Sequence, residues 1–258
     1  MNEHIFKKKF GQNFLQDNNI LDKISNSINP TENDLIIEIG PGSGNLTKYL
    51  QKHNSYLLCY EIDISLKEKL ESIANSKTRF IFKDFLETNI EDDINKIPHE
   101  NVYVVANIPY YITTPIIEKL TLSNINPKSL TLMMQKEVGE RLSAKPKTKE
   151  YGYITVLLNY FYNIESLFNV SRKCFYPMPK VDSVVVKFTR KEKNSVDFNK
   201  FNNFLKHSFQ YKRKNLRNNL KNYDLKKIEY ILNKHGYTLN NRAEDIPLEV
   251  FIDIVDNL

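Results

Sequence analysis

Cysteine is scarce in this chain, which excludes a disulfide scaffold. Cys59 and Cys174 are the only two among 258 residues, and both sit inside apolar stretches. That points to two reduced, packed thiols in an intracellular protein. His4, His53, His99, His207 and His235 are scattered and share no spacing with the cysteines, so no structural or catalytic metal is expected. The opening MNEHIFKKKFGQNFL lacks the apolar core of a secretory signal. No run has the length and apolarity of a membrane span, and no internal repeat or low-complexity segment stands out. A cytoplasmic location without membrane attachment is the expectation. Acidic residues are missing from one stretch in particular. From Lys206 to Lys221 the segment KHSFQYKRKNLRNNLK carries Lys206, Lys212, Arg213, Lys214, Arg217 and Lys221 with nothing to balance them. Lys7, Lys8 and Lys9 form a second cluster, and the net charge is +6. Unbalanced stripes of this kind suit a phosphate backbone as partner.

What is present is a series of short apolar runs. Residues 35–40 (LIIEIG), 56–60 (YLLCY), 79–82 (RFIF), 102–106 (VYVVA) and 129–134 (SLTLMM) are each too short for a helix and are bounded by polar or turn residues. They predict buried strands. The stretches 45–53 and 65–74 between them read as helices. Alternating strand and helix implies an α/β sheet, mostly parallel and covered on both faces. Residues 154–162 (ITVLLNYFY) and 183–189 (SVVVKFT) are expected to add two antiparallel strands at the edge, which makes seven. The charged RKEKNS at 190–195 marks a boundary between a catalytic domain, 1–190, and a small all-α domain, 191–258. In the latter, Phe198, Phe201, Phe204, Leu205 and Phe209 recur at helical spacing, as do Leu225, Ile228, Ile231 and Leu232. Val250, Phe251, Ile254 and Val255 close the chain in the same way.

The first strand runs into Glu38-Ile39-Gly40-Pro41-Gly42-Ser43-Gly44. Glycines there let the backbone approach a ligand at the carboxyl edge of the sheet. A dinucleotide loop needs G-x-G-x-x-G, but residue 45 is Asn. The form E-x-G-x-G-x-G resembles instead the S-adenosylmethionine loop of class I, Rossmann-like methyltransferases. The second strand ends in Glu61-Ile62-Asp63, about 20 residues past the loop. A carboxylate there, Glu61 with Asp63 as the alternative, can accept from both ribose hydroxyls of an adenosine-containing cofactor. At the third strand's end, Asp84 can accept from the cofactor's adenine amino group while Phe85 or Ile62 packs on the ring.

The fourth strand ends in Asn107-Ile108-Pro109-Tyr110, the most specific signal in the chain. Methyl transfer to adenine N6 needs an amine whose lone pair has been drawn out of the ring. The Asn107 side-chain oxygen and the Pro109 carbonyl can bind the two N–H groups and turn that lone pair toward the methyl donor. Proline sets the direction of its carbonyl, and Tyr110 supplies a stacking surface. No strong general base is required, because the methylated nitrogen is acidic while it carries positive charge. A base must leave its stack to reach such a site, and Phe175, in CFYPMPKVDS, can clamp its other face, although taken alone a phenylalanine there reads as core.

KKKFGQNFL (7–15), EIGPGSGNLT (38–47), NIPYYITTPI (107–116), MMQKEVGERL (133–142), YPMPKVDSVVV (176–186), KRKNLRNNL (212–220) and RAEDI (242–246) together resemble the adenine N6,N6-dimethyltransferases of ribosomal RNA. The likeness covers nearly the whole chain and is greatest to the KsgA/RsmA branch. It implies dimethylation of two adjacent adenines in the terminal hairpin loop of small-subunit (16S) rRNA, with S-adenosylmethionine converted to S-adenosylhomocysteine. It implies cofactor contacts at Asn13, Leu15, Gly40, Glu61, Asp84 and Asn107, those at Asn13 and Leu15 by resemblance alone. It also implies rRNA contacts at Lys212, Arg213, Lys214 and Arg217, and a preassembled small subunit as partner. No DNA partner and no oligomer beyond a monomer is expected. Tyr111 stands where many members carry Asn, and Asn13 where some carry His. The alternatives are a small-subunit assembly factor with methylation secondary, and an erythromycin-resistance-type enzyme acting on large-subunit rRNA.

Overall fold

The computed structural model describes residues 13–108, 112–192 and 196–258. Strand β1 (Phe14–Leu15) and helix α1 (Asn18–Ser25) lead into β2 (Leu35–Ile39), α2 (Asn45–Leu50), β3 (Tyr56–Glu61), α3 (Lys67–Glu71) and β4 (Thr78–Phe82). Next come α4 (Ile90–Ile94), β5 (Val102–Asn107), α5 (Thr113–Leu122), β6 (Ser129–Gln135), α6 (Lys136–Leu142) and α7 (Tyr153–Phe161). The chain continues through β7 (Tyr162–Val170), β8 (Phe175–Tyr176) and β9 (Ser183–Arg190). Helices α8 (Phe198–Ser208), α9 (Leu216–Asn219), α10 (Leu225–Lys234) and α11 (Leu248–Asn257) complete it.

Seven strands form one sheet in the order β4-β3-β2-β5-β6-β9-β7, parallel from β4 to β6 with β9 antiparallel to β6. All five residues of β2 are buried, as expected of a strand covered on both faces. On one face Ile36, Leu57, Cys59, Tyr103 and Val105 share an apolar cluster with Leu21 and Ile24 of α1 and Leu46 and Leu50 of α2. The intervening Leu35, Ile37, Leu58 and Val104 are equally buried. Each such side chain contributes roughly 1.5–3 kcal/mol. Helix α1 starts where Asp17 accepts from the backbone N–H of Asn19 at 2.9 Å and of Ile20 at 3.2 Å, a cap worth about 1 kcal/mol. Among the described residues no helix is long and apolar enough to cross a membrane.

Two compact units result. One comprises Met1–Gly139 and Glu165–Arg190, the other Glu140–Ile164 and Lys191–Leu258. One segment of the sheet unit ends at Arg190, and the helical unit takes in 140–164 as well as 191–258. The cause is α7. The segment 154–162, expected as a strand, is mostly helix, and the edge strand follows it as β7. Thr155, Val156, Leu157, Leu158 and Tyr160 are all buried in α7, so the helix is apolar nearly all round and lacks the 3.6-residue signature. Strand β7, YNIESLFNV, is largely exposed and too polar to stand out. Tyr160 stacks on Phe201 with ring centroids 4.5 Å apart and donates its hydroxyl to Val196 O at 2.7 Å. These contacts tie α7 into a core shared with Phe204, Leu232, Phe251 and Ile254. The helical spacings expected for α8, α10 and α11 are the ones that pack there.

Candidate active site

Strand order reverses at β2, with β3 and β4 on one side and β5 and β6 on the other. Ligands bind at such switch points, beyond the carboxyl ends of the strands. The parallel registers make those ends level, pairing Ile39 with Tyr60 and with Ala106, and Glu61 with Phe82. The residues just past the strand ends therefore converge. Gly40, Glu61, Asp84 and Asn107 line a single cavity, and Asn13 and Leu15 line it too.

Glu61 is only 4% exposed. Its Oε2 accepts from Gly42 N and its Oε1 from Asp63 N, both at 2.9 Å. Burial pushes its carboxyl pKa up, while those two backbone donors pull it down and the Asp63 charge adds to the rise. Asp63 itself is buried and is occupied with the Ser65 N–H and hydroxyl. It does not line the cavity, so Glu61 is the carboxylate offered to a ligand. Asp84 accepts from Leu86 N at 2.9 Å through Oδ1 and is half-buried at the rim. Of the two apolar side chains beside it, Phe85 is buried and lies edge-on to Tyr60, with centroids 5.2 Å apart. Ile62 is 43% exposed and is the side chain open to a ring.

Glu38, present in the glycine motif without an assigned role, is the acid that sequence reasoning passed over. It lines the cavity at 1% exposure, taking Thr47 Oγ1 at 2.7 Å and the Cys59 thiol at 3.5 Å. Burial pushes its pKa to about 7, against the two hydrogen bonds and with help from the Glu61 charge. Glu61 and Asp84 line the pocket against Lys83, while burial holds Glu38 toward its neutral acid, so the lining keeps a mild acidic excess, which suits a ligand carrying positive charge.

The segment before α1 is tied to the glycine loop and to β5. Asn107 Nδ2 donates to Asn13 O at 3.2 Å, and Asn45 Nδ2 donates to Leu15 O at 2.8 Å. The first bond engages the donor end of the Asn107 amide. Gly42, at φ +56°, lies under the Phe14 ring, where a Cβ would come within 2.6 Å of that ring. Only glycine meets both demands. Phe175 is placed differently from expectation. It pairs with Leu15 across the short β1–β8 ribbon, which sends both side chains to the same face. Both rest in the apolar cluster of the sheet unit, and Phe175, 5% exposed, does not line the cavity. Here it is a packing residue of the core rather than an open stacking face.

A glycine loop at the switch point, a buried carboxylate beside it and an amide at the end of β5 thus line one cavity. The sequence matches the ribosomal RNA adenine dimethylase family over residues 3–258. The chain belongs to that family. A relative from Mycoplasma mobile, "Ribosomal RNA small subunit methyltransferase A", is 43% identical over 96% of each chain. The crystal structure of a dimethyladenosine transferase from Plasmodium falciparum has 28% identity and a TM-score of 0.77, covering 93% of this chain and 95% of that one. The 23S rRNA methyltransferase ErmE shares the fold, with a TM-score of 0.76 at 24% identity over 95% and 99% of the two chains. Membership makes this dimethylase an S-adenosylmethionine-dependent enzyme acting on rRNA adenine.

The basic segment of this dimethylase is split between the end of α8, a turn and the short helix α9. Lys212, Arg213 and Lys214 lie exposed in a turn between α8 and α9, closed by Lys214 N donating to Tyr211 O at 2.9 Å. Asn215 then caps α9, its side chain accepting from Asn218 N at 3.2 Å. Arg217 is paired with Glu229 of α10 at 3.2 Å, a partner from outside the stripe. Pro109, Tyr110 and Tyr111 of the NIPYY motif and the cluster Lys7, Lys8 and Lys9 lie outside the described residues.

Proposed function

We propose that this chain dimethylates N6 of two adjacent adenines in the 3′-terminal hairpin loop of small-subunit (16S) rRNA during small-subunit assembly, as a cytoplasmic monomer. The observation that carries the reading is Asn107. It stands at the end of β5 in the cavity that also holds Glu61 and Asp84, with its amide oriented by the Asn13 carbonyl. The small-subunit target is supported by the name borne by the Mycoplasma mobile relative.

The cofactor supplies an electrophilic methyl group on a positively charged sulfur. Glu61 accepts from the two ribose hydroxyls, since each carboxylate oxygen keeps acceptor capacity beyond its backbone bond. Asp84 accepts from the cofactor's adenine amino group, and Ile62 covers that ring. Gly40, Asn13 and Leu15 bring backbone close to the remainder. The acidic lining favours a cationic ligand and disfavours an anionic one. At the target base, Asn107 Oδ1 and the Pro109 carbonyl accept the two N6–H groups, and Tyr110 stacks on the ring. With the cofactor bound, the amine lone pair would be aimed at the methyl carbon, so that the new N–C bond forms as the S–C bond breaks, S-adenosylhomocysteine leaves and the N6 proton passes to water. Lys212, Arg213 and Lys214 hold rRNA phosphates, contacts that position the RNA without reading its sequence.

The test is methyl transfer from labelled S-adenosylmethionine to small subunits lacking hairpin methylation, with large subunits in parallel. N6,N6-dimethyladenosine in small-subunit rRNA alone supports the proposal. Label in large subunits overturns the target. No label despite cofactor binding overturns the catalytic role on these particles and favours a binding factor for subunit assembly.

A further inference from the structure

The helical unit contains a cavity of its own, of about 330 Å³. It falls within the size range of small-ligand pockets, and its lining differs in kind from that of the methyl-transfer site. Tyr153 and Tyr211 contribute aromatic rings and Lys212 and Lys214 contribute cations. Tyr211 is 57% exposed. Three cations face two carboxylates in the lining, and one of those carboxylates, Glu244, is already paired with Arg242 at 3.6 Å. Asn219 lines the same cavity at 8% exposure. Its Nδ2 donates to Ser208 O at 2.7 Å and Tyr211 O at 3.3 Å, whereas its Oδ1 has no hydrogen-bond partner among the described residues. A buried amide oxygen in that condition carries a desolvation cost of about 1–3 kcal/mol. Gly152 completes the wall in extended backbone, and a Cβ built on it meets nothing within 4 Å.

We propose that this cavity captures one unstacked nucleotide of the rRNA, apart from the adenine that is methylated. The base lies against Tyr211, and its phosphate rests on Lys212 and Lys214. Single-stranded RNA is recognised by such a combination of aromatic platform and cations. The basic turn thereby does more than attract backbone, because it sits at the mouth of a base-sized recess. The inference rests on the reading of this chain as an rRNA-binding enzyme.

The test uses the full-length protein, a labelled hexaadenylate and an abasic ribose-phosphate hexamer of equal charge. Gly152→Leu fills the cavity from an unstrained backbone position, and Tyr211→Ala removes the platform. Each variant is expected to bind hexaadenylate about 10-fold more weakly, with the abasic oligomer and S-adenosylmethionine bound as before. Unchanged hexaadenylate binding in both variants overturns the proposal, as does an equal loss for both oligomers. If Gly152→Leu does not fold, Tyr211→Ala decides alone, since its side chain is exposed. Methyl transfer by the unmodified protein is measured alongside. Label on small subunits with variants indifferent to the base overturns only the second pocket. Base-dependent loss without any label supports the pocket and overturns the small-subunit target.

Discussion

The two units hold cavities of opposite character. The pocket of the sheet unit is lined by Glu38, Glu61 and Asp84 against Lys83, whereas that of the helical unit is bordered by Lys212, Lys214 and Arg141 against Glu150 and Glu244. The acids lie in or just past three adjacent strands and meet because parallel registers bring the strand ends level. Two of the cations are sequence neighbours in a single turn. An acidic pocket suits a small ligand bearing a sulfonium, and a basic one suits a polyanion. Binding the methyl donor and gripping the RNA are thus separable chemistries, and substitutions should separate them.

The sharpest separation is expected at Asn107. Asn107→Ala should cut methyl transfer by about 100-fold or more, with S-adenosylmethionine binding by calorimetry weakened far less and small-subunit binding unchanged. Equal loss of all three would erase the distinction between the units. Glu38 tests the electrostatics of the acidic pocket. Its folded pKa of about 7 lies above the ordinary 4.5, so the fold favours the neutral acid. The stability tied to that proton is complete below pH 4.5 and is lost as pH rises to about 7. The shift corresponds to roughly 3 kcal/mol. Denaturant titrations should show the native chain losing stability over this window relative to Glu38→Gln, which does not titrate; parallel curves would refute the assignment. Glu61→Gln keeps the shape but exchanges one acceptor oxygen for a donor. Its cofactor affinity should fall about 10- to 100-fold, while small-subunit binding is unaffected.

Substitutions in the helical unit should produce the converse. Lys212→Ala with Lys214→Ala should leave cofactor affinity intact. It should flatten the slope of log affinity for small subunits against log salt by about 1.4–1.8. Arg217→Ala should have the smallest effect. Its guanidinium is already engaged by Glu229 across an exposed pair, which is worth about 0–1 kcal/mol. A salt-slope change as large as that of a free lysine would show that the RNA displaces Glu229.

Strands β2, β3, β4, β5 and β6 were legible because each is a short apolar run stopped by glycine or a polar residue. The motif residues after them were legible for the same reason, since function collects where the apolar run ends. Helix α7 was misread because burial on every side erases the helical period, and β7 because an edge strand bears polar residues. Both errors moved the domain boundary. The cavity contacts of Asn13 and Leu15 had no physical signal in their own neighbourhood and rested on resemblance. They depend on Asn107 and Asn45, each at least 30 residues away in the chain. Phe175 was read as an open face, yet its pairing with Leu15 turns it into the core.

By itself, the sequence determined which chemical groups this dimethylase possesses and the order in which strands deliver them, because apolar period and glycine placement are local properties. The tertiary structure alone decided which groups share a cavity. It raised the Glu38 pKa by burying the side chain near the Glu61 charge, against the hydrogen bonds from Thr47 and Cys59. It paired Arg217 with an acid of another helix and enclosed Asn219 in a second pocket. Burial and long-range pairing set the energies of charged and polar groups, and neither is a property of a residue's immediate neighbours in the chain.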